Sequence, residues 1–323
     1  AKLSGDGLPR PQMQLKLAGF ARAELDKQTV TLSNLVMGVD EALLSGNGTV
    51  RLGSVPRVEF DLKGEKLDLD SWLGQPAKAA AAPAAPAKGE DKGTAPAAKA
   101  LSTMEPDLAA LKTVDLAGRL QLGSLRVKGL DLNAVDLQLA LAGGQLNLKQ
   151  FSAGVAGGRV TASGVLDARQ QPARYQVHKR IQGVDIRPLL QTLAQNDRLE
   201  GKGDLEVQVQ GTGLSEQALR SQMQGKVSLR LSDGALHGIN LAEMIREARA
   251  TLTGKGADQV KEARKTDFSA LTASFQIANG VARSDDIQLL APALRVKGQG
   301  QTALVPETLD FLFLTSVVES SKG

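Results

Sequence analysis

Cysteine is absent from the 323 residues, which excludes disulfides, thiolate nucleophiles and sulfur-ligated zinc. Imidazole is almost absent too, with His178 and His237 the whole supply. Aromatic residues make up 3%, too few to build stacking platforms for single-stranded nucleic acid. Long hydrophobic runs are missing. A membrane helix needs roughly 20 consecutive apolar residues, and stretches such as Leu309 to Val318 fall far short. No charged-then-apolar leader of the signal-peptide kind is present either. The sequence opens on Ala1 rather than Met, and we expect it to be a piece of a longer protein. Charge of one sign is also scarce. The formal net charge is +4, and part of that surplus sits on Lys78, Lys88, Lys92 and Lys99 in a low-complexity stretch. The remainder is close to neutral, without the basic stripe of a nucleic-acid groove.

What is present is aliphatic. Hydrophobic residues make up 42%, supplied by Leu, Val, Ala and Ile. Their dominant period is two. Leu120 and Leu122 alternate with polar partners, as do Leu125 and Val127, Leu130 and Leu132, then Val135, Leu137, Leu139 and Leu141, then Leu146 and Leu148. Gly123, Gly129 and Gly143-Gly144 punctuate these runs. The same texture recurs in Leu205-Val207-Val209, Val227-Leu229-Leu231 and Leu271-Ala273-Phe275-Ile277. The pattern predicts a meander of short antiparallel strands with one apolar and one wet face.

Helical signals are few. Residues 241 to 265 carry a mixed-charge helical pattern, with Asn240 as N-cap and Glu243 three residues on, much like a capping box. Shorter helices are expected at 104 to 112, 187 to 195 and 215 to 222. Residues 75 to 107 begin with a run of Ala, Pro, Lys and Gly that cannot bury enough apolar area to offset chain entropy. We expect a flexible linker there, dividing a β module at 1–74 from a second at 108–323.

Internal similarity points to tandem β modules. A strand-turn block occurs as Ser45-GNGTVRL, Thr161-ASGVLDA and Val296-KGQGQTALV, each soon followed by a proline: Pro56, Pro172 and Pro306. A second block, at 63–73, 181–190 and 237–245, aligns Asp68, Asp185 and Asn240 as caps between a strand and a short helix.

Sites for chemistry are sparse. His178 sits beside Lys179 and Arg180 in an expected strand, and His237 in a turn; neither has a motif neighbour to orient it. No G-x-S-x-G elbow occurs. The Gly-x-Gly steps at Gly46/Gly48, Gly201/Gly203, Gly211/Gly213 and Gly298/Gly300 complete no dinucleotide or P-loop fingerprint, and mark bulges or close strand approach instead. The acidic pairs Asp68/Asp70 and Asp285/Asp286 lack calcium-loop spacing and are read as strand ends and caps. Trp72 is read as a plug at the end of its module. No catalytic residue, metal or cofactor is therefore expected. The apolar face itself remains, and the alternation fits two arrangements: sheets packed face to face, or a sheet left open as a trough for acyl chains.

The tail carries a resemblance. In residues 266 to 305, Phe268 and Leu271 lead to a strand around Phe275, and the turn Asn279-Gly280-Val281-Ala282 follows. Asp286, Leu290, Pro292 and Arg295-Val296-x-Gly298-x-Gly300 complete the pattern. With Asp233-Gly234-Ala235-Leu236-His237-Gly238-Ile239-Asn240-Leu241 and GVDIRPLL at 183 to 190, this resembles the AsmA family, best over 108 to 323 and more loosely over 12 to 73. The resemblance implies a Gram-negative periplasmic protein held to the inner membrane by an N-terminal helix not in this sequence. It also implies membership of the repeating β-groove, bridge-like lipid-transfer proteins, with a taco-shaped apolar channel. The expected role is non-enzymatic carriage of phospholipid or another acyl lipid in support of outer-membrane lipid homeostasis and biogenesis. Envelope protein partners, and no nucleic acid, go with it. The alternative is an interaction scaffold for outer-membrane protein assembly that carries no lipid.

The expected fold is thus a curved, elongated antiparallel sheet of tandem repeats with a few short helices. The residues expected to face the groove are Leu137, Leu139, Leu141, Val207, Val209, Val227, Leu229, Leu231, Phe275 and Ile277.

Overall fold

The structure is a computed structural model and describes residues 2–3, 13–39, 41–73, 101–253, 264–292 and 294–317. Alternating apolar residues give sixteen strands among the described residues. They are β1 (Lys2–Leu3), β2 (Met13–Glu24), β3 (Thr29–Val39), β4 (Ala42–Arg51), β5 (Arg57–Asp68), β6 (Asp115–Val127), β7 (Leu130–Ala142) and β8 (Gln145–Val155). Then follow β9 (Gly158–Asp167), β10 (Arg174–Asp185), β11 (Leu199–Thr212), β12 (Gln224–His237), β13 (Lys265–Ala278), β14 (Val281–Leu290), β15 (Leu294–Ala303) and β16 (Thr308–Val317). All sixteen lie in one sheet whose spatial order is the sequence order, and the sheet does not close on itself.

Neighbours pair antiparallel throughout, apart from β5 and β6, which run parallel with Arg57 opposite Asp115 and Asp68 opposite Arg126. The chain between them includes the Ala/Pro/Lys-rich stretch, of which residues 74–100 lie outside the described residues. Four hairpins whose turns are wholly described turn in two residues, at Lys128-Gly129, Gly143-Gly144, Ala156-Gly157 and Asn279-Gly280. Both turn residues have positive φ in each, the backbone that matches strand twist.

Among the described residues four α-helices sit at the ends of strands: α1 (Asp70–Leu73), α2 (Ile186–Ala194), α3 (Glu216–Ser221) and α4 (Leu241–Thr253). Helices α1, α2 and α4 follow β5, β10 and β12 at one end of the sheet, which we call the helical end; α3 lies at the other. Asp68 caps α1 by accepting the Ser71 N–H at 3.1 Å, and Asn240 caps α4 by accepting the Glu243 N–H at 3.0 Å. Asp185, expected to do the same for α2, makes no side-chain cap bond. Ser215 caps α3 through the Ala218 N–H. The helix expected at 104–112 is only a 3-10 turn over Ala109–Lys112. The long helix expected to 265 is described to Thr253, and by Lys265 the chain is strand β13; residues 254–263 lie outside the described residues.

The buried core is concentrated toward the helical end. One cluster joins Leu67, Leu122, Leu132, Val135, Val160 and Val184, with Ile186 and Leu189 of α2 packed on it. The second joins Leu231, Phe268, Leu289, Leu294 and Val296, with Ile186, Leu241 and Ile245 against it. At the opposite end Glu105 accepts the N–H groups of Leu214 at 2.6 Å and Ser215 at 3.1 Å. Those donors hold its carboxyl below the usual range, the Leu214 N–H most of all.

Candidate functional site

Directly paired residues in adjacent strands share a face of the sheet. Register therefore shows where each candidate points. Leu62 lies opposite Leu120, Leu120 opposite Leu137, and Leu137 opposite Phe151. Phe151 faces Ala162, which faces Lys179. Lys179 faces Val207, Val207 faces Val227, and Val227 faces Phe275. A second row passes through Leu139, Leu148, Gly164, Val177, Val209, Gly225 and Ile277. Leu141 belongs to the same face, as do Leu229 and Leu231. All ten candidate residues thus lie on one apolar face.

Their burial differs. Leu231, Leu141 and Ile277 are buried, at 0%, 3% and 8% exposure, whereas the other seven are half-buried. The reason is position along the strand. Leu231 packs near the helical end, where a side chain at Gly203 would meet both Leu231 and Ile186 of α2. The described helices contact few strands closely: α2 and α3 lie against β11, α4 against β13, and the turn at Ala109–Lys112 against β8, and the mid-strand candidates stay half-buried. Every described strand belongs to the single hydrogen-bonded sheet, so among the described residues no separate second sheet lies on this face.

The opposite face is wet and charged. Arg119 forms a two-pronged pair with Asp136 at 2.9 and 2.6 Å, which holds that carboxyl below its ordinary range. Glu206 accepts from Gln208 Nε2 at 2.9 Å and Arg180 Nη2 at 3.2 Å, with His178 Nε2 3.1 Å away. These neighbours lower its pKa, Gln208 first. Two open hollows, of about 560 and 470 Å³, occur on this face. The first is lined by Thr49, Glu59, Asp61, Arg119 and Gln138, and the second by Arg180, Glu206, Arg230, Ser274 and Asp286.

Both histidines therefore sit in ion-pair networks. His237 Nε2 lies 3.0 Å from Glu200, which Arg187 of α2 at 3.3 Å and Lys265 at 3.7 Å also approach. This cluster ties α2 to β11, β12 and β13. The acidic pairs are likewise engaged. Asp68 caps α1, while Asp70 accepts the N–H groups of Lys128 and Gly129. Asp286 accepts from the Ser274 hydroxyl at 2.6 Å and its N–H at 2.8 Å, and from the Ser284 hydroxyl at 3.1 Å. Among the described residues no group of acidic and His side chains is arranged to hold a metal ion. The side chain of Trp72 lies outside the described residues.

The Gly-x-Gly steps work as close approaches between strands. A Cβ on Gly46 would fall 1.9 Å from the Asp61 carbonyl oxygen, and one on Gly300 2.2 Å from that of Asp310.

A sheet of this kind, apolar on one side from end to end, agrees with the resemblance noted in the sequence. The AsmA family model matches residues 1–287. The chain belongs to the AsmA family. The match takes in the N-terminal strands as well as the C-terminal region up to the middle of β14. Protein AsmA of Escherichia coli strain K12 is 25% identical over 327 residues, covering all of this chain and 52% of that protein. The chain thus spans about half the length of the curated relative it matches. No solved structure matches it. No helix among the described residues of this AsmA-family chain is long and apolar enough to cross a membrane.

Register also reveals what the period-two reading missed. Lys179 lies on the apolar face, flanked by Val177 and Ile181 along β10, while its chain neighbours His178 and Arg180 point to the wet one. The local run Val-His-Lys-Arg-Ile hides this, because three charged or polar residues in a row mask the alternation. Counting outward from Val177 in twos would have found it.

Proposed function

We propose that this AsmA-family chain is a non-enzymatic lipid-binding and lipid-conducting module. The sheet curls along its length, and its apolar face holds the acyl chains of a phospholipid or other acyl lipid while head groups stay wet. In the parent protein, an inner-membrane anchor would place the module in the periplasm, where it supports outer-membrane lipid homeostasis. In this reading the two expected modules, 1–74 and 108–323, are stretches of one trough, joined where β5 pairs with β6.

One observation carries the proposal. The apolar row from Leu62 through Leu137, Val207 and Val227 to Phe275 runs across strand after strand, broken at Lys179 alone, with no separate second sheet described over it. A twisted sheet of this many strands tends to curl rather than remain flat. Burial of each methylene group stabilises by about 0.8 kcal/mol, so an aliphatic trough can offset the loss of the bilayer environment, and a polar one cannot.

The test is native mass spectrometry of the chain purified in a detergent that leaves bound lipid in place. Co-purified phospholipid supports the module. A protein free of lipid, with its apolar face covered by another polypeptide, supports the scaffold reading instead.

A further inference from the structure

Followed by register from strand to strand, the apolar face carries aliphatic, aromatic, Gly, Ser or Thr side chains at every described position but one. That position is Lys179. It stands near the middle of β10, with Ala162 opposite on β9 and Val207 opposite on β11. The next residues across are Phe151 and Val227. No carboxylate shares the face with it. The acids nearest in register, Asp204 and Glu206, alternate with Leu205 and Val207 and so point the other way. Lys179 is exposed and forms no ion pair among the described residues, whereas Arg180 beside it is paired with Glu206.

A solvated ammonium on an oily surface costs little. Once acyl chains displace the water around it, an unpaired charge becomes expensive and an anion must accompany it. The stem can lie along the aliphatic surface with the head reaching outward. On the β9 side the small methyl of Ala162 and the absence of a side chain at Gly164 leave that stem room.

We propose that Lys179 is a head-group-selecting residue: it pairs with the phosphate of a net-anionic phospholipid whose acyl chains lie on the apolar face, so that the module prefers anionic over zwitterionic lipid. The inference rests on the lipid-binding reading above and adds the class of lipid.

The test incubates the full chain separately with phosphatidylglycerol and phosphatidylcholine vesicles and reads bound lipid by native mass spectrometry. The native chain is expected to favour phosphatidylglycerol about fivefold, the worth of a partly exposed ion pair of about 1 kcal/mol. Lys179→Met is expected to bind phosphatidylcholine as before and to lose the preference, and Lys179→Arg to keep it. Lys226→Met on the wet face removes the same charge and serves as the control for general attraction to anionic vesicles. An unchanged preference in Lys179→Met, or an equal loss in Lys226→Met, overturns the proposal. Should Lys179→Met not fold by circular dichroism, Lys179→Gln takes its place. If the native chain binds neither lipid, the lipid-binding reading itself fails, which is a different result from binding without head-group preference.

Discussion

Val207→Asp combined with Phe275→Asp places two carboxylates on the apolar row, separated by Val227 so that they do not repel each other at direct cross-strand distance. Strands lie about 4.8 Å apart, so an acyl chain crossing from β11 to β13 runs about 10 Å, or roughly eight methylenes at about 1.25 Å each. An open sheet can cover one side of that chain, taken as about half of its surface. At about 0.8 kcal/mol per fully buried methylene, the contact contributes about 3 kcal/mol. Its loss weakens lipid binding roughly a hundredfold, before any cost of desolvating the new carboxylates. Both native side chains are half-buried, so folding suffers less, by about 1 kcal/mol at Val207 and somewhat more at Phe275. The assay pairs lipid occupancy by native mass spectrometry with strand content by far-UV circular dichroism. Undiminished lipid on a folded double variant would refute the reasoning.

Further expectations follow from the same geometry. Leu231→Ala, at a fully buried position beneath α2, should cost about 2 to 5 kcal/mol in denaturant unfolding. Leu137→Ala, half-buried at mid-strand, should cost clearly less than that. Asn240→Ala removes the acceptor for the Glu243 N–H and should weaken the start of α4 by about 1 kcal/mol, seen as faster amide exchange there while the sheet stays protected. Asp286 has its carboxyl held below the ordinary range, chiefly by the Ser274 hydroxyl. Its folded pKa is depressed, so its contribution is full above the unfolded value of about 3.9 and is lost as pH falls through the lower folded value. Asp286→Asn should flatten the acid side of the melting-temperature profile in that window, and an unaltered slope would speak against it. Gly300→Val should disrupt the β15–β16 pairing, because a side chain there meets the Asp310 carbonyl and Phe311; proteolysis at the β16 edge would report it.

The legible part of this fold is what period two records. Leu137, Leu139 and Leu141 announced both a strand and its apolar side, and Val207, Val227 and Phe275 proved to be register partners on that side. Partner choice is not written in such a pattern. The parallel pairing of β5 with β6 joins residues on either side of a long Ala/Pro-rich stretch, and nothing in Phe60 or Gly118 states that they will meet. Phase breaks are equally silent. Ala134 and Asp233 adopt positive φ inside strands, and at Ala134 this lets Leu132 and Val135, three residues apart, join the same buried cluster. Strict alternation would have put them on opposite faces. Caps were legible by residue type and less so in use. Asp68 and Asn240 accept helix N–H groups and Asp185 does not, although all three precede helices. The expected helix near 104–112 failed because Glu105 is taken up by the Leu214 and Ser215 N–H groups across the end of the sheet. That is a tertiary contact with no local signature.

The same limit explains Lys179. Its chemistry is plain from the sequence, but its meaning depends on which face it occupies, and that is fixed by pairing with Ala162 and Val207. His178, one residue away, was weighed for chemistry and instead joins Arg180 around Glu206 on the wet side.

The most direct measurement is photo-crosslinking with a phospholipid that carries a diazirine at the end of one acyl chain, followed by mass-spectrometric mapping of the adducts. The account predicts adducts on the apolar rows, at residues such as Leu137, Val207, Val227 and Phe275, competed away by unlabelled phospholipid. Adducts confined to the wet face around Arg119, Glu206 or Arg230, or none above background, would contradict it.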